Sequence, residues 1–324
     1  MKYFVTGGAG FIGSHFVRML LKNDLHHVEK VTVFDKFTYS GNPANLAEFS
    51  RHPKFHLVKG DICDSPLVKS TLTGHDVVVH FAAESHVDRS IQSASQFILS
   101  NVLGTQTLLE AARDLNVKTF IHVSTDEVYG SVDVGSWTEQ EPLLPNSPYA
   151  ASKAGSDLIA RSFHRTYDMD IRVTRCSNNF GTHQYPEKMI PLFVTNLIDD
   201  LKVPLYGDGL NIRDWLHVED HCRGIAAVIE RGRAGEVYNI GGGTELTNIE
   251  ITRMILELCN KDEEFIAPVA DRLGHDRRYS VDWSKSHKEL GYAPLHTLAN
   301  TLPEIIDWYR KNEAWWRPLK NLKT

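Results

Sequence analysis

The chain has 324 residues, 42% of them hydrophobic and 23% charged, with a formal charge of -6. That length and mix give an ordinary globular chain with a substantial core. The negative charge and the lack of a basic tract exclude binding nucleic acid by neutralising many phosphates, and no apolar run is long enough to span a bilayer. The expected partner is a small molecule.

The first residues run straight into a strand and a glycine turn, without the basic stretch or cleavage-like site of a leader, so a cytoplasmic location is expected. Cys63, Cys176, Cys222 and Cys259 form no CxxC pair and are expected as free thiols. Short β-branched runs at Tyr3 to Thr6, Val31 to Asp35, His56 to Lys59, Val77 to Phe81 and Thr119 to Ser124 predict strands, with amphipathic helical stretches between them. Such alternation predicts an α/β fold: a Rossmann-like doubly wound parallel sheet with helices on both faces. Beyond about residue 180 the pattern loosens into loops rich in Gly, Pro and Asn, with helices predicted near Pro191 to Leu201, Val218 to Glu230 and Asn248 to Cys259. A dinucleotide-binding domain over 1-180 and a smaller C-terminal substrate-binding lobe over 181-324 follow. The boundary is soft, because ordered loops are expected to cross between the lobes more than once.

Thr6 to Gly13 reads TGGAGFIG and joins the first strand to a helix. Gly7, Gly10 and Gly13 then stand where a tight turn lets a pyrophosphate approach backbone amides, at the positive end of the helix. Asp35 closes the second strand 22 residues after Gly13. A carboxylate there bonds ribose hydroxyls and repels a 2′-phosphate, so NAD is expected rather than NADP. Asp61 and Ile62 after the third strand, and Phe81, Ala82 and Ala83 after the fourth, fall at the carboxyl ends where such sheets bind ligands.

Ser124 to Gly130 reads STDEVYG and follows a β-rich run, which delivers Thr125, Asp126 and Glu127 to the carboxyl end of the fifth strand. Adjacent carboxyl groups in one pocket can hold different protonation states, so one can donate a proton while the other removes one. Tyr149 and Lys153 stand four apart at a predicted helix start, on one face. A nearby ammonium and a positive nicotinamide favour the phenolate, which lets tyrosine act as a base. A solvated acidic turn and a surface Tyr/Lys pair are the bland alternatives. His217, Glu219, Asp220 and His221 are the densest group of potential ligands, but their spacing matches no zinc site, and no metal is expected.

With TGGAGFIG, the segment from Asp35 to Asn42, AAESHVDRS, STDEVYG, SPYAASK, NNFG, EKMIPL, NIRDWLHVEDH and RLGHDRRY, the chain resembles the dTDP-glucose 4,6-dehydratases of the extended short-chain dehydrogenase/reductase family, from residue 1 to about 310. The Thr-Asp-Glu triplet is the specific part, since related epimerases and decarboxylases keep YxxxK without the acid pair. The resemblance implies a lyase of deoxysugar biosynthesis that oxidises dTDP-glucose at carbon 4, eliminates water across carbons 5 and 6 and returns the hydride. In that cycle Tyr149, Thr125 and Lys153 serve the oxidation, Glu127 takes the carbon 5 proton and Asp126 protonates the leaving hydroxyl.

For NAD the resemblance implies contacts from Phe11, Ile12, Asp35, Lys36, Phe37 and Thr38, and further on from Ser85, Ser100 and Asn179. For the substrate it implies Ser85, Thr125, Asn178, Lys188 and Met189, then Pro204, Tyr206, Arg213, Asn248, Arg272 and His275. It also implies a homodimer in which helices at Gln96 to Arg113 and Tyr149 to Tyr167 form a four-helix bundle. Phe37 and Met189 stand where the family usually has Leu, and Leu273 where it has Pro; the last departure touches base preference, thymine or uracil. A UDP-sugar epimerase or decarboxylase, and a non-catalytic NAD-binding sensor, are the competing readings.

Overall fold

The computed structural model describes residues 1–22 and 27–321. Strands β1 (Lys2–Thr6), β2 (Lys30–Asp35), β3 (Phe55–Lys59), β4 (Val77–His80) and β5 (Thr119–Thr125) carry the predicted β-branched runs, and β6 (Ile171–Cys176) is a further strand. Then come β7 (Asn178–Phe180), β8 (Val203–Tyr206), β9 (Ile212–His217), β10 (Val237–Ile240), β11 (Glu245–Thr247) and β12 (Ile266–Val269). The main sheet has the order β10-β6-β5-β4-β1-β2-β3 and every pairing in it is parallel. Because helices cover both faces, β1, β2 and β4 are buried almost along their length, which is why they read as apolar runs without alternation. The strand order reverses between β1 and β4, and the crevice at that switch point is where doubly wound sheets hold ligands.

On one face, Phe16, Val17 and Leu20 of the helix Phe11–Leu21 share a core with Ile225 and Val228 of the helix Val218–Arg231. On the other, Phe4, Phe34 and Phe120 pack under Leu108, Leu109, Ala160 and Phe163. A separate core in the C-terminal lobe gathers Phe193, Trp215, Ile255, Leu302 and Trp316. The second half of the chain therefore does not stay apart: its helix Val218–Arg231 covers the main sheet, and β10 pairs with β6, Val237 opposite Val173 and Ile240 opposite Cys176.

The rod predicted at Gln96 to Arg113 is built from Ser95–Phe97, a π-helical Ile98–Leu103 and Gly104–Asp114. Gly104 lets this rod lie against Ile62, whose Cδ1 would be 2.5 Å from any Cβ there. The π turn presents Asn101, whose amide bonds both the N–H and the C=O of Glu84, at 2.8 and 3.0 Å, and Ser152 at 2.8 Å. Helix Pro148–Tyr167 begins where Ser147 caps the N–H of Ala150, with Pro148 in the first turn, where its missing N–H costs nothing. At its middle, Asp157 takes two hydrogen bonds from Arg175 of β6, at 2.8 and 3.0 Å, with both side chains fully buried. Arg175 also donates to the hydroxyl of Tyr129, at 2.8 Å, which ties this pair to the turn after β5.

Candidate active site

One continuous cavity of about 310 Å³ runs along the carboxyl edge of the sheet, from the glycine turn to Lys188. The glycine turn closes because Gly7 has φ 68, and because its missing Cβ would stand 2.6 Å from the N of Ala82. A Cβ on Gly13 would stand 2.3 Å from the carbonyl oxygen of Gly7. No side chain caps the helix at Gly10, so its first amides remain for an anion. Asp35 accepts from the N–H groups of Ala9 at 2.9 Å and Phe37 at 2.8 Å, which anchors its carboxylate beside the turn with lone pairs to spare. These features fit a dinucleotide.

Gly7, Gly10, Phe11, Ile12, Gly13, Asp35, Lys36 and Thr38 line this cavity, as do Asp61, Ile62, Phe81, Ala82, Ala83, Ser85, Ser100 and Asn179. Lys36 pairs with Asp61 at 2.6 Å. Phe37 is not on the wall: its backbone turns left-handed, φ 54, and its ring packs against the core.

Strand β5 ends at Thr125, whose hydroxyl accepts from the N–H of Glu127 at 3.3 Å and starts the tight turn Asp126–Tyr129. Beside β5, one turn of helix Pro148–Tyr167 brings Tyr149 and Lys153 to the same cavity. Lys153 donates to the carbonyl of Val123 at 2.8 Å, and the Thr125 hydroxyl, which donates to Asp126 Oδ1 at 3.2 Å, stands beside the Tyr149 phenol. Burial pushes the Lys153 ammonium down to about 8. Burial, reinforced by Glu127, holds the Tyr149 phenol well above its ordinary value. The chain alone thus keeps Tyr149 protonated, and only a further positive charge in the cavity can release that proton.

Asp126 and Glu127 have different surroundings. Asp126 is 3% exposed, and burial, then Glu127 and Asp214, push its carboxyl well above the usual range. Glu127 is also raised by burial, but Arg272, Lys188 and Arg213 pull it back. One carboxyl is kept as an acid; its neighbour is eased towards the base.

Ser85, Asn178 and Lys188 lie on the same cavity, where Lys188 donates to the carbonyl of Ser85 at 2.9 Å. The Asn178 Oδ1 is buried without a partner. Met189 opens the helix Met189–Ile198 and packs on the C-terminal core. The remaining residues implied for the substrate do not line that cavity, although Arg213 and Arg272 lie near enough to Glu127 to act on its charge. Tyr206 at the end of β8 meets Asp88 at 3.4 Å, and Arg272 reaches the same Asp88 at 3.8 Å. His275 lies against the Tyr206 ring and bonds Asp271 at 2.6 Å, while Pro204 precedes them in β8. Arg213 is 5% exposed, stacks over Tyr279 at 4.4 Å and spends donors on the carbonyls of Ile212 and Asp276. Asn248 starts the helix Asn248–Leu258 and bonds the carbonyl of Asn211 through its backbone.

Several residues at the site went unread in the sequence. Tyr39, between the cavity-lining Thr38 and Ser40, donates to Glu187 at 3.1 Å, with the Arg89 guanidinium 3.6 Å over its ring. Tyr279 bonds Asp276 and touches Glu127. All lie inside quoted motifs, but side chains that meet only in three dimensions leave no spacing to read. The histidine and acid group near residue 217 is divided: His221 bonds Asn179 at 2.9 Å, and Asp220 accepts the backbone N–H groups of Leu295 and His296. His217 and Glu219 instead approach His296, with possible ligand atoms within 4.8 Å of one another. No helix among the described residues is long and apolar enough to cross a membrane.

The sequence pattern of the GDP-mannose 4,6 dehydratase family matches residues 4–305. The chain is 59% identical over 319 residues to a dTDP-glucose 4,6-dehydratase of an Actinoplanes species, covering 98% of this chain and 100% of that protein. It is similar to the crystal structure of DesIV, a dTDP-glucose 4,6-dehydratase of Streptomyces venezuelae with NAD bound, with a TM-score of 0.98, 58% identity and coverage of 98% and 100%. It is also similar, at 28% identity, to a UDP-glucuronic acid 4-epimerase of Bacillus cereus, with a TM-score of 0.90 over 96% of this chain and 99% of that one.

Proposed function

The chain belongs to the GDP-mannose 4,6 dehydratase family, and from that premise we infer that it is an NAD-dependent dTDP-glucose 4,6-dehydratase, a lyase that makes dTDP-4-keto-6-deoxyglucose for deoxysugar biosynthesis. The observation that carries the reading is the acid pair: Asp126, raised well above the usual range by burial and its neighbouring carboxylates, beside Glu127, raised by burial but opposed by three cations, in the cavity that Tyr149 and Lys153 also line. An oxidation and re-reduction at carbon 4 alone has no use for such a pair.

Gly7, Gly10, Gly13 and Asp35 would hold NAD at one end of the cavity that Tyr149 and Lys153 also line. When bound, NAD supplies the reversible oxidation, accepting a hydride from carbon 4 of the sugar and delivering it at carbon 6. Tyr149, beside Thr125, takes the proton of the 4-hydroxyl; the positive charge that NAD would bring lowers its affinity for its own proton. The resulting ketone acidifies carbon 5. Glu127 takes that proton while Asp126 protonates the departing 6-hydroxyl, and Glu127 later returns a proton to carbon 5. Lys188, Arg213 and Arg272 face the diphosphate, with Ser85, Asn178, Met189, Pro204, Tyr206, Asn248 and His275 around the rest of the nucleotide sugar. Residues 1-180 serve mainly the cofactor and 181-324 mainly the substrate.

A homodimer through a four-helix bundle belongs to this proposal. Ile98, Leu99 and Leu103 on one rod, and Leu158 and Tyr167 on the helix Pro148–Tyr167, are between 44% and 53% exposed. A pair of helices with that much bare apolar surface favours burial against its own copy. A cytoplasmic location is proposed too, in keeping with its unpaired cysteines.

The test is incubation with dTDP-glucose and, separately, UDP-glucose without added reductant, following product mass and the alkali-induced ultraviolet absorbance of the keto sugar. Loss of one water from dTDP-glucose alone is expected. Equal turnover of UDP-glucose overturns the nucleotide assignment, and a product of unchanged mass turns the reading into an epimerase.

A further inference from the structure

The hydroxyl of Tyr279 stands between two carboxyl groups. It donates to Asp276 Oδ2 and lies 3.5 Å from Glu127 Oε2. Tyr279 is 2% exposed and Asp276 4%, so neither is a solvated surface group. The other oxygen of Asp276 accepts from Asn146 at 2.6 Å. Arg213 covers the Tyr279 ring at 4.4 Å and bonds the backbone carbonyl of Asp276 at 2.9 Å. Both residues are thus fixed by neighbours from distant stretches of the chain, with the phenol aimed at the site.

We propose that Tyr279 and Asp276 are positioning residues that make Glu127 a stronger base for the carbon 5 proton. This rests on the reading of Glu127 as that base. A phenol has one proton to give and lone pairs to offer. With the proton committed to Asp276, the Tyr279 oxygen turns its lone pairs to Glu127. An ionised Glu127 gains nothing from them, whereas a protonated Glu127 donates to them, so the arrangement favours the form that exists after the proton has been taken. As the carbon 5–hydrogen bond breaks, the Glu127 O–H bond forms. The electron pair becomes the bond between carbons 5 and 6, and the 6-hydroxyl departs with the proton of Asp126. Tyr279 keeps its own proton throughout. The return of the proton to carbon 5 is the reverse transfer, from a carboxyl that the phenol has held in place.

Other charged groups face Glu127 as well. Arg272 and Asp276 come from the segment after β12, Lys188 from the start of the helix Met189–Ile198 and Arg213 from β9. Asp126 precedes it in the turn, and Tyr149 faces it from the helix Pro148–Tyr167. The three cations oppose Asp276 at Glu127. A change at Tyr279 or Asp276 is therefore read as a shift against an otherwise constant background.

The experiment compares the NAD-containing wild type with Tyr279→Phe and Asp276→Asn. It measures dTDP-glucose turnover across pH, the transient at 340 nm that reports carbon 4 oxidation, and the isotope effect with substrate deuterated at carbon 5. In both variants we expect turnover to fall about tenfold, as for the loss of one hydrogen bond between neutral groups. The acid limb of kcat moves to lower pH by about one unit, the carbon 5 isotope effect grows, and the 340 nm transient keeps its amplitude. Asp276→Asn keeps the side-chain shape and so stands in if Tyr279→Phe fails to fold. If the folded variants leave the acid limb and the isotope effect where the wild type has them, and change only KM or the melting temperature, the two residues are structural and the inference is overturned. If the wild type itself forms no dehydrated product, the parent reading of Glu127 fails, and this inference with it.

Discussion

Asp126 and Glu127 are neighbours in the chain and burial raises both, yet carboxylates raise Asp126 further, while the charges of Arg272, Lys188 and Arg213 oppose the shift at Glu127. The backbone supplies this contrast: the tight turn after β5 buries the Asp126 side chain and leaves that of Glu127 half-buried, both lining the cavity.

Asp126→Asn and Glu127→Gln should each lower dehydration by roughly 10²- to 10⁴-fold, the usual range for a general acid or base, while the 340 nm transient of carbon 4 oxidation survives. Asp126→Asn also raises the melting temperature at neutral pH. Below the ordinary carboxylate range both folded and unfolded chains hold this proton. As pH rises past it, the unfolded chain ionises first, so wild-type stability falls with pH. Asparagine removes that loss, and melting curves from pH 4 to 9 check it.

Gly13→Ala is expected to purify without NAD, because the new methyl would stand 2.3 Å from a backbone oxygen that cannot move aside. Gly10→Ala, with 3.2 Å to the same oxygen, should keep most of it. Cofactor released by denaturation, quantified by absorbance, separates the two.

Asp157→Asn should cost about 3–5 kcal/mol in urea unfolding, since it leaves the Arg175 charge buried without its partner. Replacing both residues with apolar side chains of similar volume should recover much of that loss, because the pair's mutual attraction is offset by its desolvation.

Lys153→Met should abolish most turnover and stabilise the NAD-free protein at pH 7, where the wild type buries a charge. Between about 8, the value to which burial pushes Lys153, and the ordinary 10.5, the unfolded chain holds a proton that the folded chain lacks. Wild-type stability gains with pH through that window, so the advantage of the variant shrinks above pH 8. The difference between the two melting curves isolates this group from the acids.

Where one local pattern sufficed, the sequence was easily read. The glycine turn, Asp35 at a strand end and the Tyr149–Lys153 spacing each lie within a few residues, and strand and helix geometry alone places them on the cavity. Bounds moved by one to three residues at helix ends: the helix expected over Pro191 to Leu201 runs Met189–Ile198, beginning before Pro191 because proline is tolerated in a first turn. What stayed hidden depends on distant segments meeting. Nothing local says that Tyr39 will bond Glu187, or that Tyr279 will stand between Asp276 and Glu127. The π turn at Ile98–Leu103 was equally silent, since its sequence satisfies an α-helical pattern as well.

Synthesis proceeds from the N-terminus, and β10 is the last strand to join the main sheet. While the ribosome is still making residues 181–236, β6 is a bare edge of unpaired amides and carbonyls. The cofactor half therefore cannot be finished before much of the substrate half has been translated. A cut or an inserted domain at residue 180 would not separate independent modules at a linker; it would interrupt a single sheet.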